Sequence, residues 1–372
     1  MAYTTIDDPS EYFQTVIWTG NDSNPRTISH GGNSDMQPDW LWHKLRSGIL
    51  SHMMYDSTRG VGKRLHTDQN AAEATQSDTG TITAFTSNGF TVDAGTTNDL
   101  YVNDGSRTYV SWGWKANGGI TTSQTGSDIN SVTQVNADAK FSIVTYTGAS
   151  SSDGANNGGA YWRVKHGLGS VPKVAIFKSR SGAHSWYIWH HGFSGASKSD
   201  GDHIVLNETG GMASAANILW GNTEWSTTEF EIGGWNVING NGQSYIGYLF
   251  DEVQGYSKFG SYVGNGNANG TFVYTGFEPA WIMVKLSSAD GNSWQIVDNK
   301  RNPLNTGNGK RIFPNNTNAE SSSDSEGFDF LSNGFKLRNG SGGGNTNAAT
   351  YIYMAFAESP FVSSEGVPTT AR

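Results

Sequence analysis

The stretch Pro279 to Lys285, PAWIMVK, recurs in altered form as Pro38 to Lys44 (PDWLWHK) and Pro172 to Lys178 (PKVAIFK). A proline opens each copy and a lysine closes it six positions later, with an apolar run between. Proline lacks an N–H and is tolerated at the first residue of a strand, and side chains alternate between faces along a strand. Trp40 and Trp42 therefore point one way and Leu41 and His43 the other, while Trp281 and Met283 oppose Ile282 and Val284. Both faces of the third copy are apolar, which predicts a strand buried inside a two-layer sandwich. Self-similarity at long spacing predicts one structural unit used several times.

The flanks repeat too. FQTVIWTG from Phe13, FSIVTYTG from Phe141 and FGSYVG from Phe259 precede the phrase; MMYDSTRG from Met53, YIWHHGFSG from Tyr187 and QIVDNKRN from Gln295 follow it. Each unit closes with YVSWGW (Tyr109 to Trp114), YIGYLF (Tyr245 to Phe250) or YIYMAF (Tyr351 to Phe356). A hairpin-like element appears as TSNGFTV at 86–92 and LSNGFKL at 331–337, and has drifted to STTEFEIG at 226–233. The expected organisation is three related units: 1–115, 141–255 and 256–372, the last with a C-terminal tail. Residues 116–140, rich in Gly, Ser, Thr and Asn, form a linker between the first two, or an added edge strand at SVTQV. The second and third units join almost without a spacer and are expected to abut.

The chain of 372 residues has 48 glycines, no cysteine and 13 tryptophans. Aromatic and β-branched residues fit a pleated surface, and Gly, Asn, Asp and Ser fit tight turns. The fold class is all-β: three tandem related, jelly-roll-like β-sandwiches with short turns and little helix. Short helical turns are expected only at DDPSEYF, with Ser10 as cap, and at NAAEA from Asn70. Without cysteine there are no disulfides and no thiolate zinc sites. With no signal-like N-terminus and no apolar run of spanning length, a soluble chain without membrane insertion is expected. A net charge of −9 and the absence of a Lys/Arg cluster argue against nucleic acid as a partner.

No motif for catalysis stands out. Gly192-Phe193-Ser194-Gly195 lacks the spacing of a nucleophile elbow, Gly62-Lys63 and Gly309-Lys310 lack the earlier glycine of a P-loop, and GNGNANG at 264–270 is mis-spaced for a dinucleotide fingerprint. No catalytic residue, cofactor or metal is expected, and the chain reads as a non-enzyme. His184, His190, His191, Asp200, Asp202 and His203 form the richest polar group, but His190 stands where the other units have Asp56 and Asp298, as a variable turn residue would. Glu224, Glu229 and Glu231 lie near tryptophans as in a sugar-cleaving cleft, and read more simply as solvated positions. Trp18, Trp40, Trp112, Trp114 and Trp281 fall at repeated strand positions and read as core. Trp162, Trp189, Trp220, Trp225 and Trp235 of the middle unit mostly lack counterparts. They are the candidate contacts for a ligand or partner, through indole faces that stack on sugars or anchor proteins; intersheet packing is the simpler reading.

MAYTTIDDPSEYFQT, HGLGSVPKVAIFK, KFGSYVGNGNANGTFVYTGFEPAWIMVK, DNKRNPLN, FLSNGFKLR, TYIYMAFAESPF and GVPTTAR together resemble the repeated-domain virion structural proteins, tail fibre-like, of marine tailed bacteriophages. The resemblance implies a surface component of the particle, on a tail fibre for host attachment or as capsid decoration. Its partners would be other virion proteins and a host surface glycan, and it would be assembled in the host cytoplasm. It carries over no site residues. A homo-oligomer, by analogy a trimer, is the implied assembly. A glycan-binding module built on the middle unit's tryptophans and a polysaccharide-degrading enzyme are the alternatives.

Overall fold

Each proline-to-lysine phrase forms a strand, Trp40–Leu45, Val174–Ser179 and Phe277–Leu286, in a computed structural model that describes residues 3–75, 78–151, 160–193, 195, 197–215, 218–303, 305, 309–323, 327–340 and 343–368. On one side the lysine strand pairs with the strand that follows it: Met53–Asp56, Tyr187–His190 or Gln295–Asp298. On the other it pairs with the closing strand, Thr108–Trp114, Ser244–Phe250 or Thr350–Pro360. The closing strand also pairs with the opening strand, Phe13–Thr19, Phe141–Thr147 or Ser257–Val263. The three inner sheets thus share one antiparallel order. The structure is 42% strand and 2% helix, all-β in sandwich layers, and among the described residues no sheet closes into a barrel.

A smaller outer sheet covers one face of each inner sheet. It comprises Arg26–Ser29, Gly89–Asp93 and Thr81–Thr86 in the first repeat and Phe272–Tyr274, Gly334–Leu337 and Phe328–Leu331 in the third. In the second it is reduced to Trp162–Lys165 and Glu229–Ile232. The shared SNGF sequence has a steric cause, because a Cβ on Gly89 or Gly334 would sit 2.1 Å from the Ile28 or Val273 carbonyl oxygen of the adjoining strand. Within residues 116–140, Thr122–Gln124 and Ser131–Asn136 are strands that extend the edge of the second inner sheet.

The alternation along the lysine strand divides two cores. Leu41 packs outward with Tyr55, Ile82 and Phe90, and Ile282 and Val284 pack outward with Val273 and Phe335. Trp40, Trp42, Val174, Ile176, Trp281 and Met283 all face one central core to which every repeat contributes. There Trp40 stacks on Tyr248 at 4.6 Å and Trp114 meets Trp281 edge-on at 5.5 Å. Phe356 touches Phe13 and Trp114 of the first repeat, Phe250 of the second and Trp281 of its own.

The lysine that ends each phrase is fully buried. Among the described residues its ammonium group pairs with no carboxylate; it donates to main-chain carbonyls, at least one local and one in a neighbouring repeat. Lys44 reaches Leu45 (2.9 Å) and Thr317 (3.3 Å), Lys178 reaches Ser179 (3.0 Å) and Asn70 (3.1 Å), and Lys285 reaches Leu286 (2.8 Å) and Thr209 (3.2 Å). The first repeat therefore grips the third, the second grips the first and the third grips the second, which closes a ring. The segments gripped are straps: three residues on, the amides of Glu73, Met212 and Glu320 donate to the carbonyls of Arg180, Ser287 and Arg46.

The straps also correct an expectation. NAAEA is extended rather than helical, because Asn70 and Glu73 are committed to the second repeat through Lys178 and Arg180, and these contacts override local helix propensity. At the N-terminus a single 3₁₀ turn, Pro9–Glu11, is capped by Asp8, whose carboxylate accepts from the Ser10 amide, rather than by Ser10.

Phe356→Ala should cost about 3–5 kcal/mol and leave a single cooperative calorimetric transition at lower temperature; separate transitions for separate repeats would contradict a common core. Burial lowers the lysine pKa values from the ordinary 10.5 to about 8 for Lys44 and Lys285 and about 7 for Lys178. Burial likewise lowers His30, His43 and His166 to about 4. In both cases the unfolded chain binds more protons than the folded one, so stability rises with pH between the folded and unfolded values. Melting temperature should climb from pH 4 to 6.5 on the histidines and again from pH 7 to 9.5 on the lysines, with the second rise shallower in Lys178→Met.

Candidate functional site

Two of the three seams between repeats hold buried clusters of acids and arginines. At the seam of the first and second repeats, Asp56 is buried, accepts from Tyr248 Oη at 2.7 Å and pairs with Arg59. Arg59 also donates to the Met54 carbonyl (3.1 Å) and Glu73 (3.1 Å), and Glu73 takes two hydrogen bonds from Arg180 of the second repeat at 2.8 and 3.0 Å. The seam of the third and first repeats has the same parts. Asp298 accepts from Trp112 Nε1 (2.9 Å) and Arg301 (2.6 Å); Arg301 reaches the Ile296 carbonyl (3.0 Å) and Glu320 (3.2 Å); Glu320 is held by two bonds of 2.9 Å from Arg46. Burial opposes the charge on Arg59, but Asp56, Tyr248 and Glu73 outweigh it and hold its pKa above the ordinary value. Burial raises Glu73 and Glu320, and their arginine partners reverse this and pull both below the usual carboxylate range.

The seam of the second and third repeats replaces every part. Met354 stands where Trp112 and Tyr248 donate, His190 where Asp56 and Asp298 accept, Phe193 where the arginines lie, Met212 where the glutamates lie and Ser287 where Arg46 and Arg180 lie. His190 Nε2 instead contacts the Tyr353 carbonyl at 3.0 Å, and burial, aided by His191, lowers its pKa to about 3. Losing the donor at Met354 would leave a buried carboxylate short of a partner, which is costly; the acid and its arginine are absent with it.

The middle repeat's tryptophans are brought together as packing. Trp189, Trp220 and Trp225 are buried; Trp225 meets Trp220 edge-on at 5.7 Å and Trp189 at 6.2 Å. Trp220 Nε1 donates to the Asp202 carbonyl (2.8 Å) and Trp225 Nε1 to the Glu231 carbonyl (3.1 Å). The ring faces of Trp189 and Trp225 are occupied by Lys198, whose Nζ lies 4.4 and 5.2 Å from the two centroids and 2.7 Å from Glu224. Trp162 and Trp235 are half-buried against the same core.

Glu229 accepts from Ser127 and Glu231 from Thr223, so Glu224, Glu229 and Glu231 have separate partners. His190, His191 and His203 turn to the carbonyls of Tyr353, Phe259 and Gly201 respectively. Among the described residues no three His, Asp or Glu side chains are grouped to hold a metal ion. A shallow groove of about 360 Å³ crosses the extended second sheet by Gln124, Asn130, Thr145 and Arg180, but Arg180 is already engaged by Glu73.

The seam clusters were missed by motif reading, though their signal is in the repeats: D-x-x-R at Asp56–Arg59 and Asp298–Arg301 against H-x-x-F at His190–Phe193. Reading His190 as a turn residue overlooked that its substitution is matched at Phe193, Met212 and Met354.

Fold and seams define the class as a three-repeat, all-β chain whose repeats close on one aromatic core. The chain belongs to the family described as a domain of unknown function, DUF7483, which matches residues 8–360. No curated protein and no solved structure matches it.

Charge removal should separate the two kinds of ion pair. Arg301→Met, which removes the only cation paired with buried Asp298 among the described residues and leaves Glu320 to Arg46 alone, should cost about 3–5 kcal/mol in urea unfolding. Arg163→Met, which removes the exposed pair with Asp128, should cost under about 1 kcal/mol. Equal costs would show that the seam cluster does not hold the repeats together.

Proposed function

We propose that the protein is a non-enzymatic surface component of a bacteriophage particle, acting in host attachment on a tail fibre or in decoration of the capsid. The observation that carries the reading is where the chain places its reactive groups. The three buried lysines, the acid–arginine clusters of two seams and Trp40, Trp112, Trp114 and Trp281 hold three repeats to one another, which suits a rigid platform that presents loops. The phage-like strings from MAYTTIDDPSEYFQT to GVPTTAR supply the context. Other virion proteins are the proposed partners.

The ring of repeats bears on assembly. A trimer is the expectation by analogy with fibres, yet this chain closes a threefold arrangement within itself and needs no second copy to complete its core. We therefore read it as one self-contained knob.

Labelled antibody on intact particles should mark the tail or the capsid surface, and absence of label from both would sink the proposal. Light scattering should give a species near 40.0 kDa; three times that mass would restore the homotrimer.

A further inference from the structure

We infer that the seam between the first and third repeats carries a binding site for a neutral sugar ring. Three equivalent corners lie at the residue that follows the seam Asp or His. Ser57, His191 and Asn299 occupy this position, and their amides donate to the carbonyls of Asp39, Lys173 and Ala280 at 2.9, 2.8 and 2.9 Å.

Two corners are internally satisfied. Ser57 Oγ donates to Asp39 at 2.7 Å, and Gln134, from the added strand Ser131–Asn136, donates to Ser57 Oγ (3.0 Å) and Thr58 Oγ1 (2.8 Å). At the second corner His191 Nε2 contacts the Phe259 carbonyl at 2.9 Å, and Glu252 accepts from the Phe259 amide at 2.8 Å and from Lys173 and Lys258. The third corner is open. Asn299 is 2% exposed, yet neither its Nδ2 nor its Oδ1 has a protein partner, and the 7% exposed Thr15 Oγ1 also has none. Both side chains line a cavity of about 130 Å³, walled by Phe13 and rimmed by Lys300 and Glu358, which pair at 3.3 Å.

A carboxamide can donate twice and accept twice, and folded proteins seldom leave such buried capacity unused. The unfilled atoms specify the ligand. Nδ2 and Oδ1 side by side match two adjacent hydroxyls, one accepting and one donating, and Thr15 Oγ1 adds a third hydroxyl-compatible group. An anion would face Oδ1, Asp8 and Glu358, and a cation would face Nδ2 and Lys300. Gln14 takes no part, since its amide is used by Gly32, Ser10 and Ser34. The size suits one edge of a pyranose, with Phe13 against its C–H groups. This site is separate from the middle repeat's tryptophans, of which Lys198 covers the faces of Trp189 and Trp225. It deepens the host-attachment reading and is testable without it: particle labelling can fail while sugar binding holds, and the reverse.

The experiment is saturation-transfer NMR on the full chain with glucose, galactose, mannose and N-acetylglucosamine, each at about 10 mM, a range suited to the ~1 mM affinity of a small site. At least one sugar should receive saturation. Asn299→Ala should abolish the transfer, Thr15→Val should reduce it several-fold, and Trp162→Ala should leave it unchanged. No transfer from any of the four, meaning that the corner holds water only, overturns the inference. So does transfer that persists in Thr15→Val at wild-type strength, a variant that decides the matter even if Asn299→Ala fails to fold.

Discussion

A sheet that is apolar on both faces cannot stand alone, and this constraint organises the molecule. The outer sheets cover one face of each inner sheet and have no surface left for the other. The second faces are covered only by one another, so Trp40, Phe250, Trp281 and Phe356 meet in a centre that belongs to no single repeat. The area rule makes such burial the main source of stability, and the aromatic pairs add directional preference to it. A repeat of this kind is a structural part rather than a small protein repeated.

The same constraint explains where the charges lie. Once three sheets meet face to face, the strand ends and straps at their margins are enclosed too, and their carbonyls need donors. The lysines supply them in a uniform way at all three margins, whereas the acid–arginine clusters appear at two and are exchanged for His190, Phe193, Met212 and Met354 at the third. That exchange fits the view that a fully paired buried cluster and a well-packed apolar one are interchangeable, while a partial cluster is not.

Much of this was legible in the sequence, and the limit of legibility is physical. Strand alternation placed Trp40 and Trp42 opposite Leu41, because the period of two is a property of the chain itself. The repeated proline-to-lysine phrase located the inner strand for the same reason. What lay behind the second face was not legible: an apolar side chain reads alike whether it meets its own repeat or another. The burial of Lys44, Lys178 and Lys285 could not be read from the sequence because their partners are main-chain carbonyls, which carry no side-chain signature. Trp189 and Trp225 could be read either as ligand contacts or, more simply, as packing; Lys198, which covers both, lies in a part of the middle repeat that no repeated phrase marks. NAAEA failed as a helix because local propensity is weak against two committed tertiary bonds.

The seam between the first and third repeats differs from the others in one respect beyond its open corner. Consecutive repeats are joined by the polypeptide, but the first and third are held only by what touches across them, including Lys44 on Thr317, Arg46 on Glu320, Trp112 on Asp298, Tyr3 on Gly276 and Ser364 on Asp7. This seam is the clasp of the ring. Tension drawn through the main chain loads the two covalent joints along the backbone and the clasp only through non-covalent contacts, main-chain hydrogen bonds such as Glu320 amide to Arg46 carbonyl among them. Under force the molecule has one mechanical opening point, and Phe356 and its neighbours lie behind it.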